Sequence, residues 1–161
     1  MDKSFTKLRD YSFNLLARKS YSCFEMERKL KRYAQRRSIE DHHIQTLMEK
    51  LKKLKYLDDQ KFASNYIDYR LRNNPRGKFL IKRELKVKGV DDNFIERALG
   101  EKEINEEEMA EALLQKKQRS WKGVEAKKKR EKAYRYLTSR GFRMEIVYKT
   151  VNRCYDLGAI E

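Results

Sequence analysis

The chain has 161 residues, 40% of them charged and 39% hydrophobic, with a mean hydropathy of −1.00; its 11% aromatic content argues against a disordered chain, and one Pro with six Gly argues against a turn-rich β fold. Forty Lys and Arg face 25 Asp and Glu for a net charge of +15, a surplus that points to a polyanionic partner, nucleic acid above all. No run reaches the roughly 18 apolar residues of a membrane span, and the N-terminus has no apolar signal region, so a cytoplasmic protein with no membrane partner is expected.

The spacing of Leu8, Tyr11, Leu15 and Leu16 predicts a first helix over Phe5 to about Arg18. Ser22-Cys23-Phe24-Glu25 has the form of a capping box, and opens a second helix with Phe24, Met26, Leu30, Tyr33 and Ala34 on its buried face. A third follows Ser38, which with Asp41 forms a cap pattern; Ile39, Ile44, Leu47, Met48, Leu51 and Leu54 make its stripe. Tyr56-Leu57-Asp58-Asp59-Gln60-Lys61-Phe62-Ala63 is the hinge. Asp58 or Asp59 is placed to cap a fourth helix, running from Asp59 to about Arg72, because a short carboxylate satisfies orphan N–H groups at the positive dipole end. Asn73-Asn74-Pro75-Arg76-Gly77 breaks that helix. A fifth holds Phe79, Ile81, Leu85 and Val87 and stops at Lys88-Gly89, where Gly takes a left-handed position. Asp91 or Asp92 caps a short sixth with Phe94, Ile95, Ala98 and Leu99. Gly100 to Ile104 is a linker. Asn105-Glu106-Glu107-Glu108 reads as a second capping box and opens a seventh helix with Met109, Ala112, Leu113 and Leu114. Ser120-Trp121-Lys122-Gly123 interrupts, with Trp121 as a loop anchor. The eighth helix starts basic at Lys127-Lys128-Lys129-Arg130 and stops at Arg140-Gly141; the ninth carries Ile146, Val147, Val151 and Cys154.

The breaks repeat. Leu85 to Val90, followed by Phe94, Ile95 and Leu99, lines up with Leu137 to Phe142, followed by Ile146, Val147 and Val151. Gly77 and Gly123 hold similar places before the middle helix, with six more residues in the later unit. The first unit fits more loosely, with Leu30 and Ile39 matching Leu85 and Val90 across four extra residues and no Gly. The fold expected is all-α: tandem three-helix repeats over residues 1–57, 58–103 and 104–161, in an elongated, curved, right-handed array. One unit is too small to hold much core: an apolar anchor contributes about 1.5–3 kcal/mol on burial, against roughly 1–2 kcal/mol of backbone ordering per residue. Stacking of neighbours is therefore expected to matter. The three units carry net charges of +8, +2 and +5.

Leu54-Lys55-Tyr56-Leu57-Asp58-Asp59-Gln60-Lys61-Phe62-Ala63 resembles the "LxYLDDxxFA" hinge of the RecX regulatory proteins. Gly77 to Val90 resembles that family's "GxxxIxxELxxKGI" segment, and Tyr134 to Phe142 its "LYRFLxRRGF" tail. The resemblance covers roughly residues 12–155. It implies three-helix repeats in a curved arrangement, binding in the groove of the RecA–DNA filament, inhibition of the RecA ATPase and strand exchange, and so modulation of recombinational repair and the SOS response. Two departures stand out: Arg36-Arg37-Ser38 where a Lys-Gly turn is common, and Pro75 ahead of Gly77 rather than directly after it.

Basic clusters are the candidate contact residues for RecA or nucleic acid. In the middle helices these are Arg28, Lys31 and Arg32, then Lys78, Lys82 and Arg83, then Lys127, Lys128 and Arg130. Helical spacing places several on one face, as it also does on any solvated face. Arg70, Arg72 and Arg76 cluster about the break beside Tyr66 and Tyr69, a mixture suited to hot spots although helical spacing also puts tyrosines in cores. His42 and His43 are adjacent, point in different directions and do not make an i, i+4 chelate. Cys23 and Cys154 lack metal or CxxC spacing and read as reduced buried thiols. No motif marks a nucleotide fold, a nucleophile elbow or a metal centre, so no enzyme, cofactor or metal is expected. A monomer with weak, salt-dependent affinity for single- or double-stranded DNA is expected. The alternative is an autonomous helix-turn-helix-like DNA-binding protein, suggested by the charge and the short Gly turns.

Overall fold

Apolar side chains three and four residues apart give the helices apolar stripes, and the computed structural model, which describes residues 3–156, packs the first three and the last three α-helices each as a group around them. Helix α1 spans Lys3–Leu16, α2 Cys23–Gln35 and α3 Asp41–Lys53; α4 spans Asp59–Asn73, α5 Lys78–Val87 and α6 Asp92–Gly100. Then come α7 (Glu106–Gln118), a 3-10 turn (Arg119–Trp121), α8 (Ala126–Ser139) and α9 (Met144–Asp156). No strand occurs among the described residues. Helices α1, α2 and α3 pack on one another around Leu8, Met26, Leu30, Ile44, Leu47 and Leu51. Helices α7, α8 and α9 do the same around Ala110, Leu114, Ala133, Leu137, Val147 and Val151, with Trp121 buried beside them. The chain forms two compact units: the first runs to Tyr66 and takes in Leu85–Ala98, and the second holds Ile67–Glu84 and the chain from Leu99 on. Those boundaries fall inside α4, α5 and α6.

Short polar side chains start the helices. At α2 the capping box is complete: Ser22 Oγ accepts from Glu25 N at 3.1 Å and the Glu25 carboxylate accepts from Ser22 N at 3.3 Å. Asp58 is the residue that caps α4, its Oδ1 accepting from Lys61 N at 3.1 Å. Asp91 Oδ1 accepts from Asn93 N at 2.8 Å ahead of α6, and Asn105 Oδ1 from Glu108 N at 3.2 Å at α7. The expected cap at Ser38 is not formed. Glu40 precedes α3 without a side-chain cap bond, and Ser38 instead adopts φ 51°, ending α2.

That left-handed serine corrects the alignment of the first repeat. The turn after α2 closes with Ile39 N donating to Ala34 O at 3.1 Å. The turn after α5 closes with Val90 N on Leu85 O at 3.1 Å, and the turn after α8 with Phe142 N on Leu137 O at 3.4 Å. In each, the residue before the donor has positive φ: Ser38 at 51°, Gly89 at 74° and Gly141 at 80°. This bond from C″ to C3 across a left-handed C′ residue is the Schellman arrangement. Ala34, not Leu30, is thus the partner of Leu85 and Leu137, and the four extra residues disappear. Leu30, Ile81 and Ala133 then coincide, all fully buried, as do Ile44, Ile95 and Val147 further on. Ser38 supplies the Gly conformation at a cost of roughly 1 kcal/mol.

The same joint is built twice between the start of a middle helix and the turn that ends the next one. In the first unit, Ser22 Oγ donates to Lys88 O at 2.5 Å, Lys88 Nζ reaches Glu25 at 3.0 Å, and Phe24 lies against Gly89. In the second, Gly77 N donates to Arg140 O at 2.8 Å, the Arg140 guanidinium holds Asn74, and Leu80 lies against Gly141. A carboxylate completes each. Asp59, first residue of α4, accepts from Cys23 N at 2.8 Å; Glu106, first residue of α7, accepts from Lys78 N at 2.8 Å. Cys23 and Lys78 begin α2 and α5, so each acid sits at the positive end of a helix of the preceding repeat.

Candidate RecA and nucleic-acid interface

The corrected alignment changes which basic residues are equivalent. Lys31 and Arg32 stand three and two residues before Ala34; Lys82 and Arg83 stand three and two before Leu85. In the third repeat those places belong to Tyr134 and Arg135, ahead of Leu137. Arg32, Arg83 and Arg135 are all exposed. Among the described residues none of the three enters a salt bridge or a side-chain hydrogen bond. Arg135 is masked in the sequence because Tyr134 replaces the lysine that precedes its two counterparts, while the run Lys127 to Arg130 supplies a denser basic cluster nearby.

The other sequence candidates divide into exposed and engaged. Arg28 is exposed, its guanidinium 5.8 Å from the Phe24 ring. Lys31 is exposed and pairs with Glu27 at 2.6 Å; the hydrogen bond to that carboxylate holds its ammonium above the ordinary lysine range. Arg72 is exposed, and Lys78 and Lys82 are half-buried on α5. Lys127 and Lys128 are exposed at the start of α8, whose first turn has no acidic residue and whose N-cap makes no side-chain bond. They do not align with the clusters of α2 and α5. Arg130 donates to Asn152 Oδ1 at 2.8 Å and lies near the Tyr134 ring.

Arg70 and Arg76 converge on Glu84. Arg70 Nε donates to Glu84 Oε2 at 2.9 Å, and the Arg76 guanidinium holds the other carboxylate oxygen. The Glu84 side chain is 16% exposed, so the carboxylate pins the loop after α4 to α5. Removing one member of such a pair leaves buried charge uncompensated. Glu84→Gln is expected to lower unfolding stability by about 2 kcal/mol, read from urea denaturation.

His42 and His43 do not diverge as the helical positions suggested: their rings lie 3.9 Å apart, and His42 Nδ1 is 3.1 Å from Glu40. Among the described residues no group of three or more His, Cys, Asp or Glu is placed to hold a metal ion, and no helix is long and apolar enough to cross a membrane. Both cysteines are free and half-buried. Burial, then the Asp59 carboxylate, pushes the Cys23 thiol from 9.0 up to about 11; burial and then Glu111 raise Cys154 as well. The thiolate is the reactive form. Alkylation of Cys23 at pH 8 is therefore expected to run about 100-fold slower in the folded chain than in denaturant, as measured by mass spectrometry.

A family model of the RecX second three-helix domain matches residues 58–99, and one of the RecX third three-helix domain matches residues 105–151. This chain belongs to the RecX family. It is 32% identical over 137 residues to the regulatory protein RecX of Haemophilus influenzae (strain PittEE), covering 84% of this chain and 87% of the relative. Against the regulatory protein RecX of Chlorobium limicola, identity is 28% over 157 residues, covering 98% and 95%. The crystal structure of RecX from Lactobacillus salivarius superposes with a TM-score of 0.78 at 24% identity, covering 98% of this chain and 99% of that one. The tandem three-helix repeat is thus the RecX fold; the match to the second RecX domain covers α4–α6 but for Gly100, and the match to the third covers α7, α8 and the first eight residues of α9.

Proposed function

We propose that this RecX-family chain is a regulatory protein that binds the RecA filament on DNA, restrains its ATPase and strand exchange, and so modulates recombinational repair and the SOS response. Family membership and its likeness to regulatory proteins support a regulator. The observation that carries the filament reading is the unpaired, exposed arginine at one position of each repeat: Arg32 in 1–57, Arg83 in 58–103 and Arg135 in 104–161. A guanidinium presents a planar fork to carboxylate or phosphate. Three copies at one repeat position suit a partner that itself repeats. Lys127, Lys128 and the α2 and α5 basic residues add a sequence-independent attraction to phosphates, which weakens as salt rises. On this reading the chain acts as a cytoplasmic monomer and needs no cofactor. The test is titration of the chain into RecA on single-stranded DNA with ATP hydrolysis as readout. Hydrolysis should fall at or below one chain per RecA; no change at any ratio ends the proposal.

A further inference from the structure

The second compact unit contains a concavity with an unusual balance of charge. It has a volume of about 360 Å³ and is lined by Lys116 and Lys117 in the last turn of α7, Ser120 of the 3-10 turn, Tyr136 of α8 and Arg140 just after it, and by Asn73 at the end of α4 with Asn74 and Pro75 beyond it. Three cations face it and no carboxylate does. The comparable concavity between α2 and α3, about 280 Å³, is lined by Glu27, Asp41 and Glu49 against two lysines.

Helix C-termini normally explain nearby cations, because exposed carbonyls carry the negative dipole end. Here four carbonyls near the concavity are already engaged. Lys117 O accepts from Ser120 Oγ at 2.7 Å, Tyr69 O from Asn73 Nδ2 at 3.2 Å, Arg140 O from Gly77 N at 2.8 Å and Pro75 O from Arg140 at 3.4 Å. The cations have few other partners. Lys116 and Lys117 form no salt bridge among the described residues, and Lys117 rests 5.8 Å from the Tyr136 ring. Arg140, also 5.2 Å from that ring, hydrogen-bonds through Nη1 alone and leaves its Nε–Nη2 edge without a protein acceptor among the described residues. The Asn74 amide nitrogen is likewise uncommitted, since its oxygen takes Arg140.

From this geometry we propose that the pocket binds a backbone phosphate of single-stranded nucleic acid. Two ammonium groups, a guanidinium edge and an amide N–H₂ supply the donors that a phosphate oxygen set requires. The Asn74 bond and the Tyr136 ring hold Arg140 in place, so little ordering entropy is lost on binding. A flexible strand can turn a backbone phosphate into the concavity more readily than a stiff duplex can. A free nucleotide offers the same phosphate chemistry, and the experiment separates the two. This inference rests on the proposed filament role only for its choice of nucleic acid as the source.

Trp121 is the sole tryptophan, and its ring meets Tyr136 edge-on at 6.5 Å, so its fluorescence reports on the pocket. The full chain, without RecA, is titrated at low salt with inorganic phosphate, a mononucleotide, a six-residue single strand and a duplex hairpin. The single strand is expected to change Trp121 emission and to bind at least about tenfold tighter than the mononucleotide or the hairpin. Lys116→Gln with Lys117→Gln should weaken it about tenfold or more and lower the slope of log K against log salt by about 1.4. The charge-matched pair Lys52→Gln with Lys53→Gln should weaken it less than about twofold. Equal losses in both pairs, equal affinity for mononucleotide or hairpin, or no change in emission overturns the site. Because RecA is absent, failure here leaves the ATPase titration standing, and failure there leaves this one standing.

Discussion

Reversing Arg32, Arg83 and Arg135 to glutamate is expected to raise the concentration needed for half-inhibition of the RecA ATPase by about 30-fold or more, while leaving the helical fold intact. All three side chains are exposed and make no salt bridge or hydrogen bond among the described residues, so reversal removes no internal contact. Surface substitutions of this kind usually change stability by no more than about 0.5 kcal/mol. The three changes together shift net charge by six units. If each arginine meets its own acidic or phosphate group, single reversals should weaken inhibition about threefold each and multiply when combined, as independent sites do. The comparison that decides is a charge-matched triple at Arg18, Lys53 and Lys122, also exposed and unpaired among the described residues. General attraction between a basic chain and an acidic filament predicts equal losses in both triples. Contact at one position per repeat predicts loss in the first alone, and equal losses would refute it.

Much of the fold was legible because glycine marks left-handed turns. Gly89 and Gly141 ended α5 and α8 where expected, and Ser22 and Asp58 opened α2 and α4 by local chemistry. Ser38 was not legible, because serine seldom signals positive φ; only the Ile39–Ala34 hydrogen bond reveals that it does the work of glycine. The misplaced first repeat followed from that one residue; Arg135 escaped notice for a different reason, the tyrosine at 134 where Arg32 and Arg83 are preceded by lysine. The carboxylates of Asp59 and Glu106 were hidden differently. Each looks like the opening acid of its own helix, yet each accepts from the helix of the preceding repeat, 36 and 28 residues away. Such pairings depend on tertiary placement, which no local pattern carries. Arg70 and Arg76 illustrate the same limit: as sequence they were exposed contact candidates, and in the fold they serve Glu84 across the proline loop.

The joints between repeats predict a graded series of glycine substitutions. Gly77→Ala is expected to destabilise strongly, by about 3 kcal/mol or more, because the new Cβ lands on backbone: it overlaps the Gly141 carbonyl and comes within 2.7 Å of Phe142 N. Backbone at a closed turn has no rotamer to yield. Gly141→Ala should cost a similar amount from two sources. Its φ of 80° disfavours any Cβ by roughly 1–2 kcal/mol, and that Cβ overlaps Leu80 Cβ, which is fixed by its own helix. Gly123→Ala separates the terms: its φ is 78° but nothing lies within 4 Å, so only the conformational cost of roughly 1–2 kcal/mol remains. Gly100 meets nothing within 4 Å and ends α6 without positive φ. Alanine there should be neutral or stabilise by up to about 1 kcal/mol through the unfolded chain. Urea unfolding of the four variants gives the order directly. Equal losses at Gly77 and Gly123 would mean that the Gly77–Gly141 approach contributes nothing, and the repeated joint would lose its role in holding successive repeats together.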